Sequence, residues 1–464
     1  MDLYRLTATE ASELFRKREL SPVELLESVI ARTEATEPTI NAVTEQWLDE
    51  SRAAAVVSEA RFANGEQVRA LEGIPLMLKD EQPVAGRLLE DGCLLEQGNI
   101  ADVTHPIVER IQEAGAVIHG RTKTPEYCCS PVTHSKLWGV TRNPWNPDFT
   151  PGGSSGGSGA VLAAGSTLLA TGSDIGGSIR IPASFCGVVG FKPPFGRVPG
   201  MAPFNSDTYC ADGPMGRSVA DVALLQNVIS GPWVGDAASL REVAAVSGEV
   251  GSLRGIRVAL CMQLGAYDID PAVEANTRAV AAALTFAGAI VDEVTLPWTP
   301  EQVQQTAWPH FGAVMGPFIE SIVEGDPERA AQLMPYTRAF AAKAAAGGDY
   351  VAGLVAESAF YRPFAEIMTE YDVMICPTVA NTGFAADEPG TDSTMVFSQL
   401  MTLPFNVIGR VPVLAVPSGI APNGVPTGVQ IVGRTYDDAT VFRVGAALEQ
   451  ELALWTDPAW WPAV

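Results

Sequence analysis

The sequence predicts an α/β protein built as one large domain. Three observations predict it. Short apolar runs alternate with helical stretches, so that Ile74–Leu78 reads as a strand, Pro106–Ala114 as a helix and Val117–Gly120 as a strand again. No proline-rich or charge-rich linker divides the 464 residues, and no internal repeat is visible. The stretch from Pro151 to Lys192, PGGSSGGSGAVLAAGSTLLATGSDIGGSIRIPASFCGVVGFK, holds two Gly/Ser clusters around a run of small apolar residues. That run, Ala160 to Ala170, reads as a closely packed helix holding two serine-bearing loops in fixed relation. A flexible linker shares the composition of the first cluster but not the GVVGF and Lys-Pro that follow.

The remaining elements follow in order. Thr7 to Glu10 is a capping box for a helix running to about Lys17. Ser21-Pro22-Val23-Glu24 sets Ser at the N-cap, Pro at the first helical position and Glu at the third. A third helix is expected over Ala42 to Asn64. Residues 121–150 read as a long irregular loop region, of the kind that lines sites in compact proteins. Beyond the Gly/Ser stretch, Val219–Ile229 and Pro271–Ala287 read as helices, and Gly255–Leu260 and Ala289–Val294 as strands. Residues 300–370 read as mainly helical. Tyr371–Pro377 is a strand, Val411–Pro417 and Gly428–Gly433 form a strand pair, and Ala439–Gln450 is the last helix. The tail with Trp455, Trp460 and Trp461 either packs back on the surface or marks a contact between protomers, as in a homodimer.

Composition narrows the function classes. With 54 acidic against 30 basic residues, net charge is -24. No basic surface for nucleic acid is expected, and anionic membranes are disfavoured. Seven scattered cysteines read as reduced thiols. The four histidines form no HExxH motif and no Cys-x-x-Cys pair occurs, so no metal or other cofactor is expected. The N-terminus lacks a signal-like apolar region and no apolar run reaches membrane length. A cytoplasmic protein is the default.

Lys79 is the first residue that could do chemistry. Of the six lysines, it alone ends an apolar run that reads as a buried strand. Burial lowers an amine's pKa and can leave it neutral, able to accept a proton; an ion pair with Asp80 is the structural alternative. Ser154, Ser155, Ser158, Ser173 and Ser178 are candidate hydroxyls, each a poor nucleophile until a base takes its proton. No His-centred triad is evident. The N–H groups of Ile175, Gly176 and Gly177 directly precede Ser178 and are placed to receive an oxyanion. Asp174 and Arg180 flank that turn as a candidate buried ion pair.

These residues resemble the signature of the amidase signature family of serine hydrolases. Further similar pieces are GIPLMLKD, GRTKTPEY, GVTRNPWNP, GPMGRSVADVALL, PFN at Pro404–Asn406 and PTGVQIVG at Pro426–Gly433. The resemblance implies a single α/β/α domain with a large twisted mixed sheet covered by helices. It also implies a Ser-cisSer-Lys triad: Lys79 as neutral base, Ser154 as bridge, Ser178 as nucleophile, and an oxyanion hole of Ile175, Gly176, Gly177 and Ser178. Residues 1–65 would then form a helical layer, 70–230 the catalytic core, 300–370 a cap on the substrate pocket, and 371–464 the rest of the sheet. The chain departs from the family pattern at Glu81-Gln82-Pro83, after Lys79-Asp80. Cys128, Cys129 and His134 are candidates for the substrate pocket. Adjacent thiols invite a cysteine-nucleophile reading, but no His partner is evident.

The implied activity is hydrolysis of the C–N bond of small, largely apolar amides: aryl or acyl amides, anilides, or carbamates. Activity should rise toward neutral or alkaline pH as Lys79 loses its proton. The expected partner is a small-molecule amide or carbamate, with no nucleic acid and no membrane. The alternative is the catalytic subunit of a glutaminyl/asparaginyl-tRNA amidotransferase. Such subunits tend to carry Gln after the signature arginine, where this chain has Ile181 and Pro182. A non-enzymatic scaffold is the third class, opposed by the lysine and both serines.

Overall fold

The computed structural model describes residues 2–243, 245–392, 396–457 and 460–464. Its strands are β1 (Val43–Gln46), β2 (Pro75–Lys79), β3 (Val117–Thr122), β4 (His134–Ser135), β5 (Gly139–Val140), β6 (Leu169–Asp174), β7 (Val189–Lys192), β8 (Ala211–Gly216), β9 (Arg257–Leu260), β10 (Ile290–Glu293), β11 (Val373–Pro377), β12 (Val413–Ile420) and β13 (Pro426–Gly433). Eleven of them form one mixed sheet in the order β1-β3-β2-β6-β8-β7-β12-β13-β11-β9-β10, while β4 and β5 pair separately. Helices flank the sheet, giving the single α/β/α domain expected.

Strand β2 lies parallel to both β3 and β6. Lys79 at the end of β2 and Asp174 at the end of β6 therefore emerge at the same edge of the sheet, where open α/β sheets bind ligands. All five β2 residues are buried, as expected of a strand covered on both faces. Alternation splits them: Leu76 and Leu78 join the core under the N-terminal helices, whereas Met77 packs against Ala160, Val161 and Ala164. Lys79 shares the parity of Met77, so its amine is directed into the layer containing the Gly/Ser segment.

Both N-terminal capping boxes form, opening helices Ala8–Lys17 and Pro22–Ile40. Other boundaries differ from those expected. The helix expected from Ala42 begins at Leu48. The residues before it form β1, which pairs antiparallel with β3; β-branched Val43 and Thr44 suit an edge strand. The helix expected over Ala160–Ala170 spans Gly156–Ala164 and ends at Gly165 in the left-handed conformation. Only its last two residues, Leu169 and Ala170, are strand, the start of β6, which is buried in the middle of the sheet. Glycine is required in this helix by close packing: a Cβ at Gly157 would lie 2.5 Å from the Lys123 backbone nitrogen.

Residues 300–370 contain five helices: Pro300–Ala313, Met315–Val323, Pro327–Gln332, Pro335–Ala345 and Tyr350–Ile367. The tryptophan tail packs back on its own chain, with Trp460 buried and its ring 5.2 Å from that of Trp145. All seven cysteines are free thiols. Among the described residues no helix is long and apolar enough to cross a membrane, and no cluster of His, Cys, Asp or Glu is placed to hold a metal ion.

Candidate active site

Lys79 is fully buried. Its Nζ donates to Ser154 Oγ at 2.7 Å and to Ser173 Oγ at 2.8 Å. The third neighbour is Glu81 Oε1 at 3.1 Å. An ammonium carries three donors and no acceptor; the two serine oxygens take two of them, and the Glu81 carboxylate stands beside the amine as an ion pair. Ser154 follows a cis Gly153–Ser154 peptide at the entry to helix Gly156–Ala164.

The Glu81 contact corrects the expectation of a neutral lysine. Burial alone would pull the Lys79 pKa down, but Cys128 and Glu81 outweigh it and hold the amine above its ordinary range. Glu81 shows the converse: burial pushes its carboxyl up, and Lys79 with hydrogen bonds from Cys128 and Ser173 brings it below the usual carboxylate range. At rest the pair is therefore an ammonium and a carboxylate. Nor is Lys79 the only lysine ending a buried strand. Lys192 ends β7, its Nζ faces the carbonyls of Pro193 and Val411 at 3.2 and 3.0 Å, and burial and then Arg180 pull its pKa down to about 7.

The five candidate hydroxyls separate by partner. Ser158 Oγ bonds Thr122 Oγ1 and the Thr171 carbonyl, both at 2.8 Å, which fastens the helix to the sheet. Ser155 Oγ accepts the Ser173 N–H at 3.3 Å, and the Ser155 N–H donates to the Ser178 carbonyl at 3.1 Å. The two Gly/Ser clusters are thus bonded to each other. Ser154 and Ser173 share the lysine. Ser178 lies beyond, and it lines the same cavity as Gly153, of about 50 Å³. Among the described residues no Ser154–Ser178 side-chain bond forms; catalytic hydrogen bonds often tighten only when substrate binds.

Asp174 and Arg180 make the buried pair expected of them, Nη2 to Oδ1 at 2.8 Å with both side chains inaccessible. Burial raises the Asp174 pKa, and Arg180 more than reverses it, leaving the carboxyl below its usual range. Asp174 Oδ1 also accepts the Gly177 N–H at 2.8 Å, and Oδ2 the Ile179 N–H at 3.2 Å. Gly177 is therefore engaged within the turn, whereas the Ile175, Gly176 and Ser178 N–H groups lie outside this set of bonds. Sequence reasoning gave no role to three residues that hold the turn from across the sheet. Asn406 donates to Asp174 Oδ1 at 2.8 Å, Gln430 accepts from Arg180 at 2.6 Å, and Thr402 Oγ1 donates to the Gly176 carbonyl at 2.7 Å. PFN and PTGVQIVG carry Asn406 and Gln430, whereas Thr402 lies in neither motif.

The smaller cavity is otherwise lined by Cys128, Cys129, Ile181, Phe311, Met315, Phe340, Phe397 and Leu400, among others. A second cavity of about 320 Å³ adjoins it, sharing Cys128, Ile175 and Met315 and adding Glu81, Asp91, Asp212, Phe204 and Phe318. Both cysteines thus face the site. Cys128 Sγ donates to Glu81 Oε2 at 2.8 Å, and burial with the Glu81 charge pushes its thiol up to about 12. A thiol so protonated is no thiolate nucleophile. His134 lines neither cavity; it sits in β4 with its ring 5.2 Å from that of Tyr336. Its candidacy for the pocket is not supported.

A mixed sheet of this order, carrying a buried lysine–serine contact beside a structured Gly/Ser turn, defines a class of amide-cleaving hydrolases. The chain belongs to the amidase signature family: the amidase family model matches residues 24–442. It is 35% identical to a glutamyl-tRNA(Gln) amidotransferase subunit of Synechococcus sp. (strain CC9605), covering 97% of both chains. Among solved structures it resembles a bacterial aryl acylamidase of the same family, with TM-score 0.89, 27% identity and 97% of each chain covered. The 6-aminohexanoate cyclic dimer hydrolase gives TM-score 0.86 at 30% identity over 100% of this chain and 99% of that one. Amidase-type hydrolysis of amide C–N bonds follows. The exclusion of nucleic-acid partners read from the acidic composition does not survive: curated relatives spanning nearly the whole chain are subunits named for a tRNA substrate. Net charge averages over a surface and does not report on one docking face.

Proposed function

We propose that the chain cleaves amides through an acyl-enzyme on Ser178, with Ser154 as bridge and Lys79 as base. The buried Lys79–Ser154 contact at 2.7 Å carries this reading. Ser178 Oγ would attack the carbonyl while its proton passes to Ser154 and the Ser154 proton to Lys79. The oxyanion would meet the N–H groups of Ile175, Gly176 and Ser178. Ser154 would then return a proton to the leaving nitrogen, and water would release the acyl group by the same relay.

For substrate, we propose a small amide, anilide or carbamate with an apolar acyl part. Among the described residues, those lining the smaller cavity include no Arg, Lys, Asp or Glu, and those lining the larger one include no Arg or Lys. The α-carboxylate of glutamine would find no cationic partner there, and burying it unpaired is costly. Phe311, Met315 and Phe340 come from the 300–370 helices, which supports a cap role for that segment.

The second reading, the catalytic component of a tRNA amidotransferase complex, has the wider support from curated relatives, which are 32 and 35% identical over 98 and 97% of the chain. One assay separates the two. The purified chain and Lys79→Ala are given an anilide, glutamine, a carbamate and an ester. Turnover of the anilide by the chain alone, lost in Lys79→Ala, supports the first reading. Glutamine cleavage confined to preparations containing partner subunits and tRNA supports the second.

A further inference from the structure

We propose that Glu81 is the terminal proton acceptor of the relay, taking the Lys79 ammonium proton as Lys79 takes that of Ser154. This rests on the Ser178–Ser154–Lys79 reading and extends it by one residue. Glu81 stands where the sequence leaves the family pattern. Its two oxygens face two different partners: Oε1 lies 3.1 Å from Lys79 Nζ, and Oε2 accepts from Cys128 Sγ at 2.8 Å. Oε1 makes no hydrogen bond of standard geometry among the described residues, so its 3.1 Å contact with Lys79 is an ion pair that leaves lone pairs on that oxygen to take a proton. The lysine that must accept a proton already holds three, and the group beside it that can relieve it of one is this carboxylate.

The protons balance. In the resting pair Lys79 is an ammonium and Glu81 a carboxylate. As Ser178 Oγ bonds to the carbonyl carbon, its proton moves to Ser154 and the Ser154 proton to Lys79. One Lys79 proton moves to Glu81, giving a carboxylic acid while Lys79 ends as an ammonium again. When the C–N bond breaks, the transfers run back and the leaving nitrogen receives a proton from Ser154. No proton is exchanged with solvent, so the site does not have to wait for an alkaline pH to strip the lysine.

Other titratable groups surround Glu81. Lys79 faces it from β2, Cys128 from the turn after β3, Asp91 from the loop beyond, His105 from the start of helix Pro106–Glu113, and Cys210 and Asp212 from β8 and the turn before it. Burial holds His105 neutral, pulling it down to about 4. Burial and then Glu81 raise Asp212 to about 7. Cys128 and Cys210 are held as thiols by burial first, and Asp91 is pushed well up by burial and then Asp80 and Glu81. Lys79 is thus the one cation among the groups named, and Glu81 the carboxylate paired with it.

The test is the pH dependence of kcat/KM on an anilide for wild type, Glu81→Gln and Glu81→Asp. If Glu81 accepts the proton, the wild-type acid limb follows protonation of the pair and lies low. Glu81→Gln must then wait for a free lysine to deprotonate, and its limb moves up by about one unit or more; Glu81→Asp keeps the low limb with a reduced plateau. If Glu81 only holds Lys79 charged, removing it frees the lysine and the limb moves down. A downward or absent shift overturns the proposal, as does loss of turnover at every pH in both variants. Ser178→Ala serves as the separate control: activity surviving there defeats the serine relay itself, whatever Glu81 does.

Discussion

Lys79 Nζ lies 2.7 Å from Ser154 Oγ, with the amine entirely out of solvent. Ser154→Ala leaves the Ser173 and Glu81 contacts of the lysine in place and removes the bridge alone. Amide turnover should fall by about 10²–10⁴-fold, the range for losing a positioned proton-transfer group. Ester turnover should fall less, because an alcohol leaves without the proton that an amine requires. Paired kinetics on an anilide and the matching ester check this; equal losses would count against Ser154 as proton donor.

Removing Arg180 strands the Asp174 carboxylate in a fully buried position. Breaking such a pair from one side costs about 3–5 kcal/mol, so Arg180→Met should lower the denaturant midpoint markedly and activity with it. The pH dependence has a defined sign. Because the folded Asp174 pKa is depressed, its contribution is present above the ordinary carboxylate value of about 4 and is lost as pH falls through the folded value. Wild type should therefore lose stability on acidification below about pH 4, and the Asp174→Asn profile should be flatter there.

Gly177 has φ +125°, and a Cβ on it would sit 2.1 Å from Thr402 Oγ1. Thr402 is the residue that holds the Gly176 carbonyl. Gly177→Ala should therefore displace the loop carrying Ser178. A loss of kcat of at least about 10²-fold is expected, as for a reacting group misplaced by about 1 Å. Retained far-ultraviolet circular dichroism would place the damage in the loop.

Much of this site was legible in the sequence, for a physical reason. A strand buried on both faces and ended by lysine, and a helix so tightly packed that three of its nine residues are glycine, each leave a local mark. The turn at Asp174–Arg180 is local as well, with partners six residues apart. What stayed hidden depends on distant pairing. Asn406 and Gln430 reach the turn across more than two hundred residues, and β8 carries Asp212 to the site by pairing with β6. The boundary errors at Ala42 and Ala170 share a cause: small and β-branched residues permit helix and strand alike, and sheet position decides. The charge state of Lys79 depends on more than burial: Glu81, two positions along the chain, sets a carboxylate 3.1 Å from the amine.

Met315, like Cys128 and Ile175, lines both cavities. Met315→Ala should cost about 2–5 kcal/mol of stability and enlarge the space at their junction. Specificity should move toward bulkier acyl groups, read as the ratio of kcat/KM for a long-chain anilide to that for acetanilide. An unchanged ratio would place acyl binding elsewhere.

Iodoacetamide should modify Cys128 slowly throughout the neutral range, since its thiol titrates only near 12. Peptide mapping after timed alkylation checks this. Fast labelling near pH 7 would reopen the thiol as a nucleophile.

The most direct measurement is the mass of the acylated protein during turnover, followed by peptide mapping of the adduct. A fluorophosphonate probe or a slowly hydrolysed anilide should place one equivalent on Ser178 and none on Ser178→Ala. An adduct on Ser154, Ser173 or Cys128, or full turnover by Ser178→Ala, would contradict the account.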